Sequence, residues 1–466
     1  MNNCENFPRI VKLGAGLTLL AALSAFAIRS AEAQVVTPPP STTPGQAQRL
    51  SLGQAARLAA AQSATVEGAG YRVQEAQARV KEARASTLPQ VSFSPNWSSH
   101  TINSASFGFN FPTAAGEKPL LDPAGQVIGP VKQWDFRGAV SQSIYDPSTQ
   151  ERVRAARANV TAASADVQTA AEDAATTAAA AYVRAQRGEA SVNARVADSV
   201  LARDLLGIAQ DQLDAGVGVG LDVTRAQSQV AGARAQLIAA RNDRNRTRVD
   251  LLRSLNLPLD TPLELTDSLG SMPQDVLAVE EAVGAALRER PEVRAADAQL
   301  AAAQQQARVI RSTRLPTVNA FANDGPNGYI DNLLNTYTYG VQLSVPIFEG
   351  GRRSAQSQEQ EAVARGIEVR RRDLRQQIEA DVRNALLDLG SAREQVDAAR
   401  DRQRLAELEV EQARDRFRAG VAGNADVVTA SQTLNNARTA VIDALSQYQA
   451  ARVSLARAEG NVTQIR

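Results

Sequence analysis

Cysteine and histidine each occur once in the 466 residues, aromatic residues make up only 4%, and neither sign of charge prevails, with 51 Lys+Arg against 50 Asp+Glu. One cysteine leaves no internal disulfide and no cysteine-rich zinc site, and one histidine, His100, leaves no cluster for a transition metal. Balanced charge lacks the basic footprint that nucleic-acid binding requires, so no nucleic-acid partner is expected. A Ser/His/Asp triad cannot be assembled around a lone histidine on a strand-like segment, and no close acid pair marks a pocket. The sequence therefore predicts neither an enzyme nor a bound cofactor.

Long apolar runs are missing too, after the first 34 residues. Before that point, Arg9 and Lys12 precede an apolar stretch from Leu13 to about Ile28, and Ala31-Glu32-Ala33 supplies the small-x-small pattern of a signal-peptidase site. Residues 1–33 are expected to be an export signal, cleaved before Gln34, rather than an uncleaved anchor. Cys4 leaves with it. The mature chain is then cysteine-free, with 48 basic against 48 acidic residues. Residues 34–49, with Pro38-Pro39-Pro40 and a Ser/Thr/Gly stretch, are expected to be a flexible tail.

What is present is one plan written twice. Ser86-Thr87-Leu88-Pro89-Gln90-Val91 returns as Ser312-Thr313-Arg314-Leu315-Pro316-Thr317-Val318. Ser143-Ile144-Tyr145-Asp146 returns as Val345-Pro346-Ile347-Phe348-Glu349, and Ala215-Gly216-Val217 with Asp222-Val223 returns 204 positions later as Ala419-Gly420-Val421 with Asp426-Val427. The first copy spans 50–270 and the second 277–466. Pro89 and Tyr145 are 56 positions apart, whereas Pro316 and Phe348 are 32 apart, so copy one carries a 24-residue insertion. Its Pro112, Gly116, Pro119, Pro123, Gly125, Gly129 and Pro130 predict a loop.

Two compositions alternate within each copy. Residues 50–87, 148–214 and 222–256, and their counterparts 277–314, 351–419 and 426–460, are dense in Ala, Gln, Arg, Glu and Leu, all strong helix formers. Pro291 is the exception, and starts or kinks its helix. Segments 148–214 and 351–419 each predict a rod of about 100 Å at 1.5 Å per residue. Small residues such as Ala155, Ala158 and Ala162, or Ala174, Ala178 and Ala181, let neighbouring helices approach.

The other composition fills 88–145 and 316–348, which hold 13 of the 19 aromatics. Such concentration implies a different surrounding solvent. Val91, Phe93 and Trp97 alternate with Ser92, Ser94, Asn96 and Ser98, and Phe107, Phe109 and Phe111 keep the odd phase. Trp134, Phe136, Gly138 and Val140 form a second arm; Val318, Ala320 and Ala322, then Tyr337, Tyr339, Val341, Leu343 and Val345, form the arms of copy two. Each is a strand with one apolar and one polar face. Either a small sheet caps a soluble protein or these hairpins belong to a transmembrane β-barrel. In lipid, sheet edges cannot stay unpaired, and four strands cannot close a barrel. Several chains must then share one; eight strands would suffice for a dimer, and a wide pore favours three chains and twelve strands.

The order of signal, helix, strand hairpin, long helix, glycine turn and helix, given twice, together with Val345-Pro346-Ile347-Phe348-Glu349-Gly350-Gly351-Arg352, resembles the TolC-like outer-membrane efflux protein family from about Leu50 to Val462. The resemblance implies a mixed α/β membrane protein, with four transmembrane β-strands and long antiparallel α-helices per chain. Its homotrimer would build a 12-stranded barrel in outer-membrane lipid, continued by a periplasmic α-helical barrel. The linker 257–276 and the C-terminal end would form an equatorial collar. The implied function is the exit duct of a tripartite efflux system, with a periplasmic adaptor and an inner-membrane transporter as partners; a type I protein secretion system would use the same duct. A periplasmic coiled-coil spacer or adaptor is the alternative of another class, although it would need one hairpin between compact β domains rather than two.

Carried over position by position, the resemblance places the periplasmic tip at the turns 215–221 and 420–425. Gly216, Val217, Gly218, Gly220, Gly420, Val421 and Gly423 would face the adaptor. Asp222 and Asp426 would line the constriction, where acidic rings favour cations; alternatively each is the N-cap of the helix that follows it. Thr429 stands where some members carry a second acid, Ala422 where an arginine latches the tip, and Phe417 where a tyrosine does, which implies a differently held gate. Pro346, Phe348, Gly350 and Gly351 would mark the strand-to-helix junction. The glycine run Gly216 to Gly220 follows a long helix rather than a strand, so it predicts a helix-ending turn and not a phosphate loop.

Overall fold

A computed structural model describes residues 48–107, 125–270, 272, 278–421 and 423–465. The expected export signal, nearly all of the expected tail, Phe109, Phe111 and most of the copy-one insertion, part of the linker, and Ala422 lie outside the described residues.

The first copy begins with a short strand β1 (Gln48–Leu50) and two helices, α1 (Leu52–Gln62) and α2 (Ala64–Ala85). A single helix over 50–87 was expected. Ser63 breaks it: its backbone is extended (φ −65°, ψ 147°), and its hydroxyl accepts from the Val66 N–H at 3.4 Å, so it closes one helix and caps the next. The second copy breaks at the matching place, into α5 (Val279–Glu289) and α6 (Pro291–Ser312). Here the cause is Pro291, which forces Arg290 into an extended conformation and occupies the first helical position, where its missing N–H costs nothing.

Between these helices and the rods lie the strands. In copy one they are β2 (Gln90–Phe93), β3 (Asn96–Asn103), β4 (Val127–Asp135) and β5 (Gly138–Tyr145). Copy two has β7 (Thr317–Tyr329) and β8 (Asn332–Ser344). Each arm of the first hairpin is therefore split, one at Pro95, which has no N–H to give to a ladder, and the other at Phe136-Arg137. Phe107 closes a 3₁₀ turn, Ser104–Phe107, instead of continuing the strand phase. The arms pair antiparallel in the order β2/β3, β4/β5, β7, β8.

Register aligns the apolar residues in rows. Val91, Val140, Ala322 and Tyr339 are consecutive partners across four strands, Val318 pairs with Leu343, and Trp97 pairs with Trp134. Ser143, Asn319 and Gln342 form a row on the opposite face, as do Ala139, Asn323 and Thr338. Phe321 is an aromatic residue on that polar face; its ring covers Gly340, where an added Cβ would lie 3.0 Å from it. The apolar face is uncovered: Val91, Phe93, Trp97, Tyr337, Tyr339, Val341 and Leu343 are each more than half exposed.

Two long rods, α3 (Pro147–Asp214) and α7 (Arg352–Arg418), leave the sheet. Asp146 starts α3 by accepting from the N–H groups of Ser148 (2.9 Å) and Thr149 (3.3 Å), with Pro147 at the first helical position. The helices α4 (Gly220–Ser254) and α8 (Asn424–Glu459) return from the far ends. The helices α2 and α6 pack beside the sheet-proximal part of α3, while α4 and α8 pack beside the remainder. Where they meet, β1 pairs in parallel with β6 (Leu263–Leu265), and the 3₁₀ turn Val462–Gln464 closes onto α1.

This mid-length knot is the largest apolar cluster, built from Leu50, Leu52, Tyr182, Leu251, Leu255 and Val462 among others. Tyr182 is fully buried; its hydroxyl donates to the Leu50 carbonyl (2.9 Å) and accepts from the Asp267 N–H (3.3 Å). Burial pushes that phenol up to about 12. Gly53 meets the Ile465 carbonyl so closely that a Cβ would lie 2.2 Å from its oxygen, so only glycine lets the C-terminal turn seat. Among the described residues no helix is long and apolar enough to cross a membrane.

Candidate functional site

The far ends of the two hairpins are built alike. In copy one the N–H of Val217 bonds the Gln212 carbonyl and that of Gly216 bonds the Leu213 carbonyl, both at 3.0 Å; in copy two Val421 bonds Arg416 and Gly420 bonds Phe417, again at 3.0 Å. This paired closure needs a left-handed residue, supplied by Gly216 (φ 73°) and Gly420 (φ 71°). The turns present apolar side chains outward: Val217 is 78% exposed and Val421 72%, with Val219 and Leu221 also exposed.

Both return helices begin two residues earlier than expected, at Gly220 and Asn424. Val219 and Gly423 are the N-caps, and neither makes a side-chain capping bond. Asp222 and Asp426 are consequently third residues of their helices, which corrects the N-cap alternative. The first-turn position still favours a negative charge near the helix N-terminus. Asp222 is half-buried, with Arg225 at 3.6 Å, whereas Asp426 is exposed. Thr429 is exposed and turns its hydroxyl back onto the Ala425 carbonyl (2.9 Å).

Val223 and Val427, each one residue after its aspartate, bury into a shared core with Leu205, Ala209, Ala226 and Phe417. Phe417 is only 2% exposed. Its ring therefore belongs to the seam between the hairpins and is held there by apolar packing.

Two polar ties across that seam escaped the sequence reading. Gln212 donates from Nε2 to the Phe417 carbonyl at 2.5 Å, and Asn424 donates from Nδ2 to the Asp222 carbonyl at 2.9 Å. Asn424 is fully buried, and its Oδ1 has no hydrogen-bond partner among the described residues. A signal existed: Asn424 occupies the position that Gly220 holds in copy one, so the repeats differ where the structure uses a side chain.

At the opposite end of α7 the expected junction is a Gly-Gly hinge. Gly350 (φ 60°) and Gly351 (φ 81°) are both left-handed, and Gly351 is the N-cap of α7. Glu349 pairs with Arg352 (2.9 Å) and Arg353 (2.7 Å), and Arg353 also donates to the Thr313 carbonyl, fastening the rod to the end of α6. Pro346 precedes an outward-facing pair, Ile347 and Phe348, that is almost fully exposed. The junction and the tip lie at opposite ends of one rod and do not form a single site.

The family described as "Outer membrane efflux protein" matches residues 55–257 and 282–461, which covers both copies. Among curated proteins, the chain is similar to outer membrane efflux protein BepC of Brucella suis biovar 1, at 26% identity over 70% of this chain and 71% of that protein. It is also similar to protein CyaE of Bordetella pertussis, at 26% identity over 89% and 84%. Among solved structures, the Campylobacter jejuni CmeC outer membrane channel shares the fold with a TM-score of 0.70, at 17% identity over 88% of this chain and 85% of that one. With both copies matched and the fold shared, the chain belongs to the outer membrane efflux protein family.

Proposed function

We propose that three copies of this chain form the exit duct of a tripartite efflux system, closed at rest at the hairpin tips. The protein is an outer-membrane efflux component with a helical part in the periplasm. The observation that carries the trimer is the sheet itself: four arms with an uncovered apolar face, and two outer arms, β2/β3 and β8, that lack a partner on one side among the described residues. In lipid every backbone N–H and C=O must be satisfied, so β8 of one copy pairs with β2/β3 of the next and closes a twelve-stranded barrel. The Ser/Asn/Thr/Gln face then lines a water-filled lumen, and the rods continue it across the periplasm.

Transport through such a duct is passive. The exposed turns Gly216 to Gly220 and Gly420 to Gly423 meet the periplasmic adaptor, which couples the duct to an inner-membrane transporter. Around the threefold axis, exposed Asp426 forms an acidic ring and Asp222 lies behind it, so the closed tip prefers cations. Single-channel recording in planar bilayers tests this reading: Asp426→Asn is expected to raise the resting conductance or to lower the cation preference. Wild-type conductance and selectivity in that variant would remove Asp426 from the constriction.

A further inference from the structure

Above the apolar tip core, α3 carries an aspartate that the tip reading does not use. Asp198 has a side chain 1% exposed, although it stands on a rod whose surface is rich in exposed charge. Its Oδ2 accepts from Arg195 Nη1, one turn earlier on α3, at 3.0 Å. Its Oδ1 accepts from Arg438 Nη1 on α8 at 2.8 Å, and the Asn435 amide, turned with its nitrogen toward the carboxylate, donates to the same oxygen at 2.7 Å. Arg195 also reaches across the seam, donating from Nη2 to Thr439 Oγ1 at 3.0 Å. Asn435, Arg438 and Thr439 share one face of α8 at helical spacing, so one stretch of α8 supplies the cluster's contacts across the seam.

The seam changes character at this level. On the tip side, α3 meets the second hairpin through apolar side chains, with Leu201 beside Leu434 and Ala437, then Leu205 and Ala209 beside Phe417 and Val427. Among the described residues the other side-chain ties there are the two neutral bonds to backbone carbonyls at the turns. Apolar contacts are non-directional and re-form after a slide. A buried carboxylate held by two guanidinium groups does not, because displacing it leaves an uncompensated charge out of water. The next rung toward the sheet, Arg187 to Asp443 at 2.8 Å, is exposed on both sides and is correspondingly weak.

We propose that Asp198, Arg195 and Arg438 form the pivot pin of the gate, locking α3 to α8 about 24 Å from the tip at 1.5 Å per residue. Opening then displaces only the stretch beyond Asp198, where the seam is apolar, while the rods on the sheet side keep their pairing. These three are positioning residues: they set where the hairpins bend and touch no permeating solute. The inference rests on the closed-tip reading above.

The test uses full-length channels in planar bilayers. Arg438→Met, and the triple variant Asp198→Leu, Arg195→Met, Arg438→Met, are expected to raise resting conductance several-fold. The triple variant is also expected to keep the wild-type particle mass and melting temperature, since an apolar cluster replaces the ionic one without an orphaned charge. It carries the test if Arg438→Met fails to assemble. Arg187→Gln is expected to conduct as wild type. Unchanged conductance in the triple variant, alongside a changed conductance in Asn424→Ala or Asp426→Asn, overturns the pin and leaves the gated tip standing. Full wild-type conductance with every variant inert overturns the closed tip, and the pin with it.

Discussion

Glu172 shows how one buried charge on a rod can be stability-limiting. It lies on α3, 9% exposed, where Oε1 accepts from Thr463 Oγ1 at 3.2 Å and Oε2 has no hydrogen-bond partner among the described residues. Burial raises its pKa above the ordinary carboxylate range. Its neighbour Glu292 is pushed up by burial too, but hydrogen bonding and attraction from Arg457, with Arg290 nearby, hold it below that range. The two act oppositely on folding. For Glu172 the folded chain binds the proton more tightly, so stability falls as pH rises from the ordinary value through the raised one. For Glu292 stability is present above the ordinary value and is lost as pH falls through the lowered one. Glu172→Gln removes the first effect and is expected to stabilise the protein at neutral pH by an amount of the order of 1 kcal/mol. Thermal melts from pH 4 to 8 would check it; a variant that melts below wild type at pH 7 contradicts this account. Glu172 was not legible as a special residue, because its surroundings come from the C-terminal turn, 291 positions away.

Among the elements, the rods were the most legible and the points where helices touch the least. Helix formers and small residues predicted α3 and α7 nearly to their ends, since helix propensity is local. The breaks at Ser63 and Arg290 needed the caps themselves to be weighed against otherwise continuous helical composition. Gly188, in the middle of α3, looks in the sequence like a plain helix weakener. In the fold it lets α4 lie close against α3: a Cβ there would lie 3.0 Å from Thr247 Oγ1 and 3.1 Å from Arg244 Cα. Gly188→Leu is expected to spread the two helices and cost about 1–3 kcal/mol. In Gly188→Ala a shift of a few tenths of an ångström competes with the gain in helix propensity, leaving stability near wild type. Melting followed by helical circular dichroism separates the two; equal Tm for Leu and Gly would mean the helices have slack at this point.

For the whole molecule, the decisive feature is a sheet that, among the described residues, stops at two open edges. Alternation in the sequence predicted both its faces, and the register bears out the rows that join Val91 to Tyr339 and Val318 to Leu343. An apolar face this exposed, ending in unsatisfied edges, is unsuited to water and to lipid alike unless copies complete it. The protein, extracted in mild detergent from isolated outer membranes, is expected to have about three chain masses after detergent is subtracted. A monomer or dimer from the soluble periplasm would sink the shared barrel and the duct with it.

The sequence by itself determined the doubled plan, the division into helical rods and aromatic-rich strands, and the Gly216 and Gly420 turns. All of these follow from backbone preference and side-chain period, which act between near neighbours in the chain. Only the tertiary structure decided that Phe417 packs inward while Asp426 stays exposed, that Asn424 ties the two tips, and that Asp198 is buried between two arginines. Copy two has Arg402 at the position 204 residues after Asp198, so the plan shared by the repeats does not reveal that role. The physical reason is common to all three residues. Burial and charge pairing depend on which helix lies alongside, and that neighbour is brought by a fold whose contacts span more than two hundred residues.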